Sequence, residues 1–198
     1  MKGLVYIVDD DAAVRDSLEL LLGSAGFETQ AFDSAEAFLA APREPGHGCL
    51  LSDIRMPGKS GVELLDFLRK QGDECPVVLI TGHGDVALAV EAMKRGARDF
   101  IEKPFDDSRL IDAITGALTK PVAATDPEAA ACLATLSGRE RQVMEGLLGG
   151  RSNKEIAREY AISPRTVEVY RAHVMSKMRA GTFSELVQIA IRAGLRKA

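Results

Sequence analysis

The chain has 198 residues, 46% hydrophobic and 27% charged, with a net charge of −4, which fits one large or two small domains of ordinary composition. No apolar run approaches the roughly 18–20 residues needed to span a bilayer. The opening Met1-Lys2-Gly3-Leu4-Val5-Tyr6-Ile7-Val8-Asp9 turns acidic too soon for a secretory leader, so a cytoplasmic protein without a membrane partner is expected. Cys49, Cys75 and Cys132 are scattered, and the three histidines lack ligand spacing, which argues against a disulfide framework or a zinc site. Charge divides unevenly: residues 1–120 carry 13 Lys and Arg against 21 Asp and Glu, a balance of −8, whereas residues 121–198 carry 12 against 8, a balance of +4. The basic part is a candidate for nucleic acid.

Along the first part, short apolar runs at residues 4–8, 29–32, 49–52, 77–80 and 99–101 read as strands. Between and after them, residues 12–22, 35–41, 62–70, 86–95 and 108–118 place apolar side chains at i, i+3, i+4 and i+7, as in the stripe of Val62, Leu65 and Leu68. Strict βα alternation implies a doubly wound α/β domain, a five-stranded parallel sheet covered by helices on both faces. We assign it residues 1–118. Residues 119–134, with Pro121, Pro127 and a run of alanines, read as a linker that turns helical from Asp126 onward.

Residues 135–198 read as a small all-α domain of four helices. Three begin with a reciprocal S/T-x-x-E cap: Ser137 with Glu140, Ser152 with Glu155 and Thr182 with Glu185. The other opens on Ser163 as N-cap with Pro164 at the first helical position. Residues 154–160 and 166–177, joined across Ala161-Ile162-Ser163, form a helix-turn-helix pattern. In the second of these helices Val167, Tyr170, Val174 and Met178 make the inward stripe. Arg165, Glu168, Val169, Ala172, His173 and Ser176 lie opposite, the size and chemistry a major groove admits. Lys154, Arg165 and Thr166 stand near helix N-termini, which favour phosphate. Arg171 falls about 40° from the buried centre at 3.6 residues per turn, so a buried pair with Glu140 is expected of it rather than a base contact.

In a parallel sheet the strand ends share one rim. Asp9, Asp10 and Asp11 follow the first strand, Asp53 the third, Thr81 closes the fourth, and Lys103 follows the fifth just before Pro104. Carboxylates with one hydroxyl and one ammonium suit phosphoryl transfer. Mg²⁺ or Mn²⁺ would sit on Asp10 and Asp53, with Asp9 reached through water, and offset charge repulsion. Asp53 would be the nucleophile, forming an acyl phosphate. Thr81 and Lys103 would bind phosphoryl oxygens. The plainer alternative is that each acid caps a helix or faces water. A Mg²⁺-dependent aspartyl phosphatase shares the chemistry, but the isolated acid here follows the third strand rather than the first.

Val8-Asp9-Asp10-Asp11, Asp53-Ile54-Arg55-Met56-Pro57-Gly58, Thr81-Gly82-His83-Gly84-Asp85 and Lys103-Pro104-Phe105 resemble the response-regulator receiver domain, a flavodoxin-like fold, over residues 4–118. Leu136-Ser137-Gly138-Arg139-Glu140, Asn153-Lys154-Glu155-Ile156-Ala157 and Ile162-Ser163-Pro164-Arg165-Thr166-Val167-Glu168-Val169 resemble the LuxR-type helix-turn-helix. The whole is similar to the FixJ group of response regulators. The resemblance implies that Asp53 accepts phosphate from a sensor histidine kinase, with Mg²⁺ held by Asp10, Asp53 and the carbonyl of Arg55. It implies self-catalysed phosphorylation and dephosphorylation at a stoichiometric acceptor, not an enzyme.

It also implies a switch in which Thr81 moves and Phe100 repacks, and a cis Lys103-Pro104 bond. Phosphorylation would promote a homodimer through the helix beginning at Val86 and the strand ending at Ile101, which binds double-stranded DNA and activates transcription with RNA polymerase as partner. Three features depart from what such regulators often show. Phe100 lacks a hydroxyl, so its inward position would be a matter of packing alone. Ala161 occupies a turn position where glycine is common, and Tyr170 stands where the group usually has histidine. A constitutive DNA-binding protein using the first domain only as a scaffold stays open as a further alternative.

Overall fold

The computed structural model describes residues 2–82, 86–119 and 126–195, and the chain divides into two units, Met1–Pro121 and Val122–Ala198. In the first, strands β1 (Leu4–Val8), β2 (Glu28–Phe32), β3 (Cys49–Asp53), β4 (Val77–Thr81) and β5 (Asp99–Glu102) alternate with helices α1 (Ala12–Ser24), α2 (Ala35–Ala40), α3 (Gly61–Lys70), α4 (Val86–Lys94) and α5 (Asp107–Thr119). The strands are all parallel, in the order β2-β1-β3-β4-β5. The chain thus leaves β1 for one edge and returns to its other side at β3, which opens a crevice at the carboxyl ends between those two strands. Strands β3 and β4 are buried along their whole length, as a sheet covered on both faces requires.

Alternation along the strands assigns the two faces. Val5, Ile7, Cys49, Leu51, Val78, Ile80 and Ile101 pack with Leu18 and Leu22 of α1 and Leu110, Ala113, Ile114 and Ala117 of α5. Tyr6 turns to the other face and meets the Phe38 ring of α2 edge-on at 5.4 Å. On that side α4 lies on β4 and β5 and against α3, and α3 buries Val62, Leu64, Leu65 and Leu68. Helix α3 starts with a fourth capping box, Ser60 with Glu63. Its first residue must be glycine, because a Cβ on Gly61 would lie 2.3 Å from the carbonyl oxygen of Asp53.

The second unit holds α6 (Pro127–Ala134), α7 (Gly138–Leu148), α8 (Asn153–Glu159), α9 (Pro164–Lys177) and α10 (Phe183–Arg192). The caps at Ser137, Ser152, Ser163 and Thr182 all form, with Pro164 at the first helical position of α9. The expected turn to helix at Asp126 occurs: its side chain caps α6, which packs on α10. Of the remaining linker, residues 120–125 lie outside the described residues. Helices α7, α8 and α9 pack on one another, and Gly146 lets α7 approach α8, where a Cβ would come within 2.7 Å of Ile156. Val167, Val174 and Met178 are buried as the stripe requires, and Tyr170 is half-buried.

Helices α8 and α9 both end on a left-handed residue that is not glycine, Ala161 at φ 52° and Arg179 at φ 54°. Each closes a Schellman motif, with Ile162 N–H donating to the Ala157 carbonyl at 3.0 Å and Ala180 N–H to Met175 at 2.9 Å. The same closure elsewhere uses Gly26, Gly72, Gly96, Gly150 and Gly194. Among the described residues no helix is long and apolar enough to cross a membrane.

Candidate functional site

The carboxyl rim of the sheet gathers two acids and one lysine. Asp9 follows β1 and is 2% exposed; Asp53 ends β3 and is 8% exposed. Lys103 reaches them from beyond β5, its Nζ 2.7 Å from Asp53 Oδ1 and 3.6 Å from Asp9 Oδ2. Each element is fixed by the next strand's backbone: Ile54 N–H donates to the Ile80 carbonyl at 2.9 Å, and Lys103 N–H to Thr81 at 2.8 Å. The Lys103-Pro104 bond is cis. Asp53 Oδ2 accepts the Arg55 N–H at 2.6 Å, so both its oxygens meet donors. Asp9 Oδ1 accepts the Asp11 N–H at 2.9 Å, and Asp11 in turn caps α1.

Electrostatics follows from this crowding. Burial, joined by the charges of Asp53 and Asp10, raises the Asp9 carboxyl above its usual range against the pull of the Asp11 N–H and Lys103. Burial opposes charge on Lys103, but its hydrogen bond to Asp53 and the charges of Asp53 and Asp9 outweigh that and raise its pKa. Asp9 Oδ2 is buried and has no hydrogen-bond partner. Such an oxygen beside a second carboxylate fits a hard cation such as Mg²⁺. Asp10 is exposed next to it. Among the described residues no three acid, histidine or cysteine side chains are already gathered as a metal cluster.

The remaining residues expected at the rim fall nearby in the fold. Thr81 closes β4, fully buried, its hydroxyl donating to the Gly82 carbonyl at 3.3 Å. Phe100 in β5 is buried. Arg55 is exposed in the loop after β3. Of the segment Thr81 to Asp85, His83, Gly84 and Asp85 lie outside the described residues. Sequence reasoning missed Arg15, whose Nη1 donates to the Asp9 carbonyl at 2.7 Å and steadies the acidic turn. A basic residue one turn into the following helix was the only available signal.

In the second unit, Arg165, Glu168, Val169, Ala172, His173 and Ser176 are all exposed on α9, and Lys154 is exposed at the start of α8. Thr166 is half-buried, its hydroxyl 2.7 Å from that of Ser163, which accepts the Thr166 N–H at 3.0 Å. The expected Arg171–Glu140 pair does not form. Arg171 lies over the Phe183 ring, 5.6 Å from its centroid. Glu140, 4% exposed, takes Lys177 Nζ at 2.7 Å and the Ser137 N–H at 2.7 Å. The lysine and then the Ser137 N–H pull its pKa down to about 2. Lys177 wins because, six residues further along α9, its ammonium reaches the first turn of α7.

A doubly wound sheet with acids and a lysine at its carboxyl rim, joined to a helix-turn-helix unit, defines a response regulator with a DNA-binding output domain. The description "Response regulator receiver domain" matches residues 5–115, and "Bacterial regulatory proteins, luxR family" matches residues 134–190. The transcriptional regulatory protein FixJ of Bradyrhizobium diazoefficiens is 57% identical over 199 residues, covering 98% of this chain and 97% of that one. FixJ of Rhizobium meliloti is 51% identical over 195 residues, covering 96% of each. The solved structure of full-length FixJ from B. japonicum, 57% identical, matches with a TM-score of 0.58 over 98% of both chains. The chain belongs to the response-regulator family, as a FixJ-like transcriptional regulator with receiver and LuxR-type domains. Members of this class work with a histidine kinase and bind DNA, and the relatives are transcriptional regulators rather than enzymes.

Proposed function

We propose that Asp53 accepts a phosphoryl group from a sensor histidine kinase and that this modification promotes dimerisation and operator binding by α9. The observation that carries this reading is the 2.7 Å contact of Lys103 with Asp53 at the carboxyl rim, beside a buried Asp9 oxygen that accepts no hydrogen bond. A carboxylate oxygen of Asp53 forms the new P–O bond as the P–N bond of the donor's phosphohistidine breaks. Lys103 releases its grip on Asp53 and holds a phosphoryl oxygen instead. Thr81 supplies a hydroxyl from the next strand end. Asp9, Asp10, Asp53 and the Arg55 carbonyl would hold Mg²⁺ or Mn²⁺, which offsets the negative charge that accumulates there.

Rearrangement of Thr81 and repacking of Phe100 carry the signal to α4 and β5, the face through which two copies associate. A dimer presents two copies of α9 to half-sites about one DNA turn apart. Lys154, Arg165 and Thr166 contact phosphate, and Glu168, Val169, Ala172 and His173 face the bases. Promoter activation through RNA polymerase is the output this reading favours.

The test is chemical. Incubation with acetyl phosphate and Mg²⁺ is expected to yield a hydroxylamine-sensitive acyl phosphate on the wild-type chain and none on Asp53→Asn. Labelling that persists in Asp53→Asn and is lost in Asp9→Asn instead would favour the phosphatase alternative.

A further inference from the structure

Helix α9 carries three cations, and two are withdrawn from its open face. Arg171 stacks over Phe183, 5.6 Å from the ring centroid. Lys177 is drawn to Glu140 at 2.7 Å and to the Thr135 carbonyl at 3.3 Å. Arg165 remains exposed, but in the first turn, where backbone N–H groups already favour phosphate. The centre of the face is left to Glu168, Val169, Ala172 and His173.

These four have a definite chemistry. Glu168 is an exposed carboxylate, an acceptor only. Val169 is 51% exposed, the one large hydrophobic side chain so exposed among the described residues of its unit. Ala172 adds a methyl beside it. His173 turns Nδ1 toward Glu140 Oε1 at 3.7 Å. An imidazole in its neutral form keeps one ring nitrogen able to accept a hydrogen bond. From residue 168 to residue 173 the helix rises about 7.5 Å, enough for two to three stacked base pairs.

We propose that the centre of α9 reads exocyclic amino groups and thymine methyls in the major groove, and not guanine. The proposal rests on the reading of α9 as the DNA-contacting helix. Guanine shows that groove only the acceptors O6 and N7, which a carboxylate repels. Cytosine N4 and adenine N6 offer donors to Glu168 and His173. The thymine C5 methyl offers apolar contact to Val169 and Ala172. The usual guanine reader, a bidentate arginine, is absent from the centre: Arg171 falls toward the inward side of α9 and lies over the Phe183 ring.

The experiment uses the full chain with acetyl phosphate and Mg²⁺. Selection from random duplexes yields the preferred operator, which is then remade with single-atom-group deletions. Deoxyuridine removes only the thymine methyl, purine or 2-pyrimidinone removes only the amine of adenine or cytosine, and 7-deazaguanine removes only N7. One deoxyuridine per half-site is expected to weaken binding about 4-fold, from about 0.8 kcal/mol per buried methyl. One amine deletion should weaken it about 5-fold or more. Val169→Ala should abolish the first penalty and Glu168→Ala the second; both positions are exposed, so folding is unaffected. The proposal is overturned if 7-deazaguanine produces the largest loss, or if the penalties survive unchanged in both variants. Recovery of no preferred sequence under any condition would overturn the DNA-contact reading of α9 together with it.

Discussion

Lys177, in the last turn of α9, hydrogen-bonds the buried carboxylate of Glu140 across 2.7 Å, so one end of α9 is fastened to the first turn of α7. Glu140 also completes the capping box with Ser137, which makes one carboxylate serve two helices. Removing the lysine leaves the buried Glu140 carboxylate short of a donor, a costlier outcome than the pair's net worth. Lys177→Met should therefore destabilise the second unit by about 2 kcal/mol, measured by urea unfolding. The pH dependence has a definite sign. The Glu140 pKa lies below its ordinary 4.5, at about 2, so its contribution is complete above pH 4.5 and lost as pH falls toward 2. Glu140→Gln should be less stable than wild type at neutral pH and lose less between those limits.

Helix propensity alone would make Gly61→Ala stabilising by up to about 1 kcal/mol. The 2.3 Å approach of its Cβ to the Asp53 carbonyl reverses the sign. We expect a loss of about 2 kcal/mol from overpacking, seen as a lower denaturation midpoint, and slower labelling by acetyl phosphate because the Asp53 peptide must move.

Two left-handed residues, Ala161 and Arg179, flank α9. A non-glycine residue in that conformation costs about 1 kcal/mol. Ala161, at φ 52° and exposed, has only a methyl group to lose to glycine. Ala161→Gly should stabilise the second unit by about 0.5–1 kcal/mol, net of the greater freedom of glycine in the unfolded chain, raising Tm by a few degrees in calorimetry. Arg179→Gly should gain less, since it also loses the ion pair with Glu128 at 2.6 Å, though that pair is exposed and weak.

Much of this architecture was legible in the sequence because period and position carry it. The runs ending at Val8, Ser52 and Ile80 predict the buried strands to within a residue or two, and the acids directly after them predict the rim. The S/T-x-x-E pattern located three helix starts and was equally present at Ser60 and Glu63, where it was overlooked. What stayed hidden depends on tertiary reach. Helical rotation placed Arg171 near the core, but could not say that the shorter path to Glu140 belongs to Lys177. The alanine-rich run at residues 127–134 hides the face that α6 buries on α10. Arg69 ties the carbonyls of Asp73, Cys75 and Gly96 together, a contact spanning 27 residues at its longest that no local pattern encodes.

Phosphorylation of Asp53 is expected to control operator affinity in the second unit. The most direct test is the dissociation constant for the selected operator, measured with and without acetyl phosphate in Mg²⁺ buffer, for wild type and Asp53→Asn. Wild type should gain about tenfold or more, equivalent to about 1.4 kcal/mol, and Asp53→Asn nothing. An equal gain in both proteins, or no gain in wild type, would contradict that expectation.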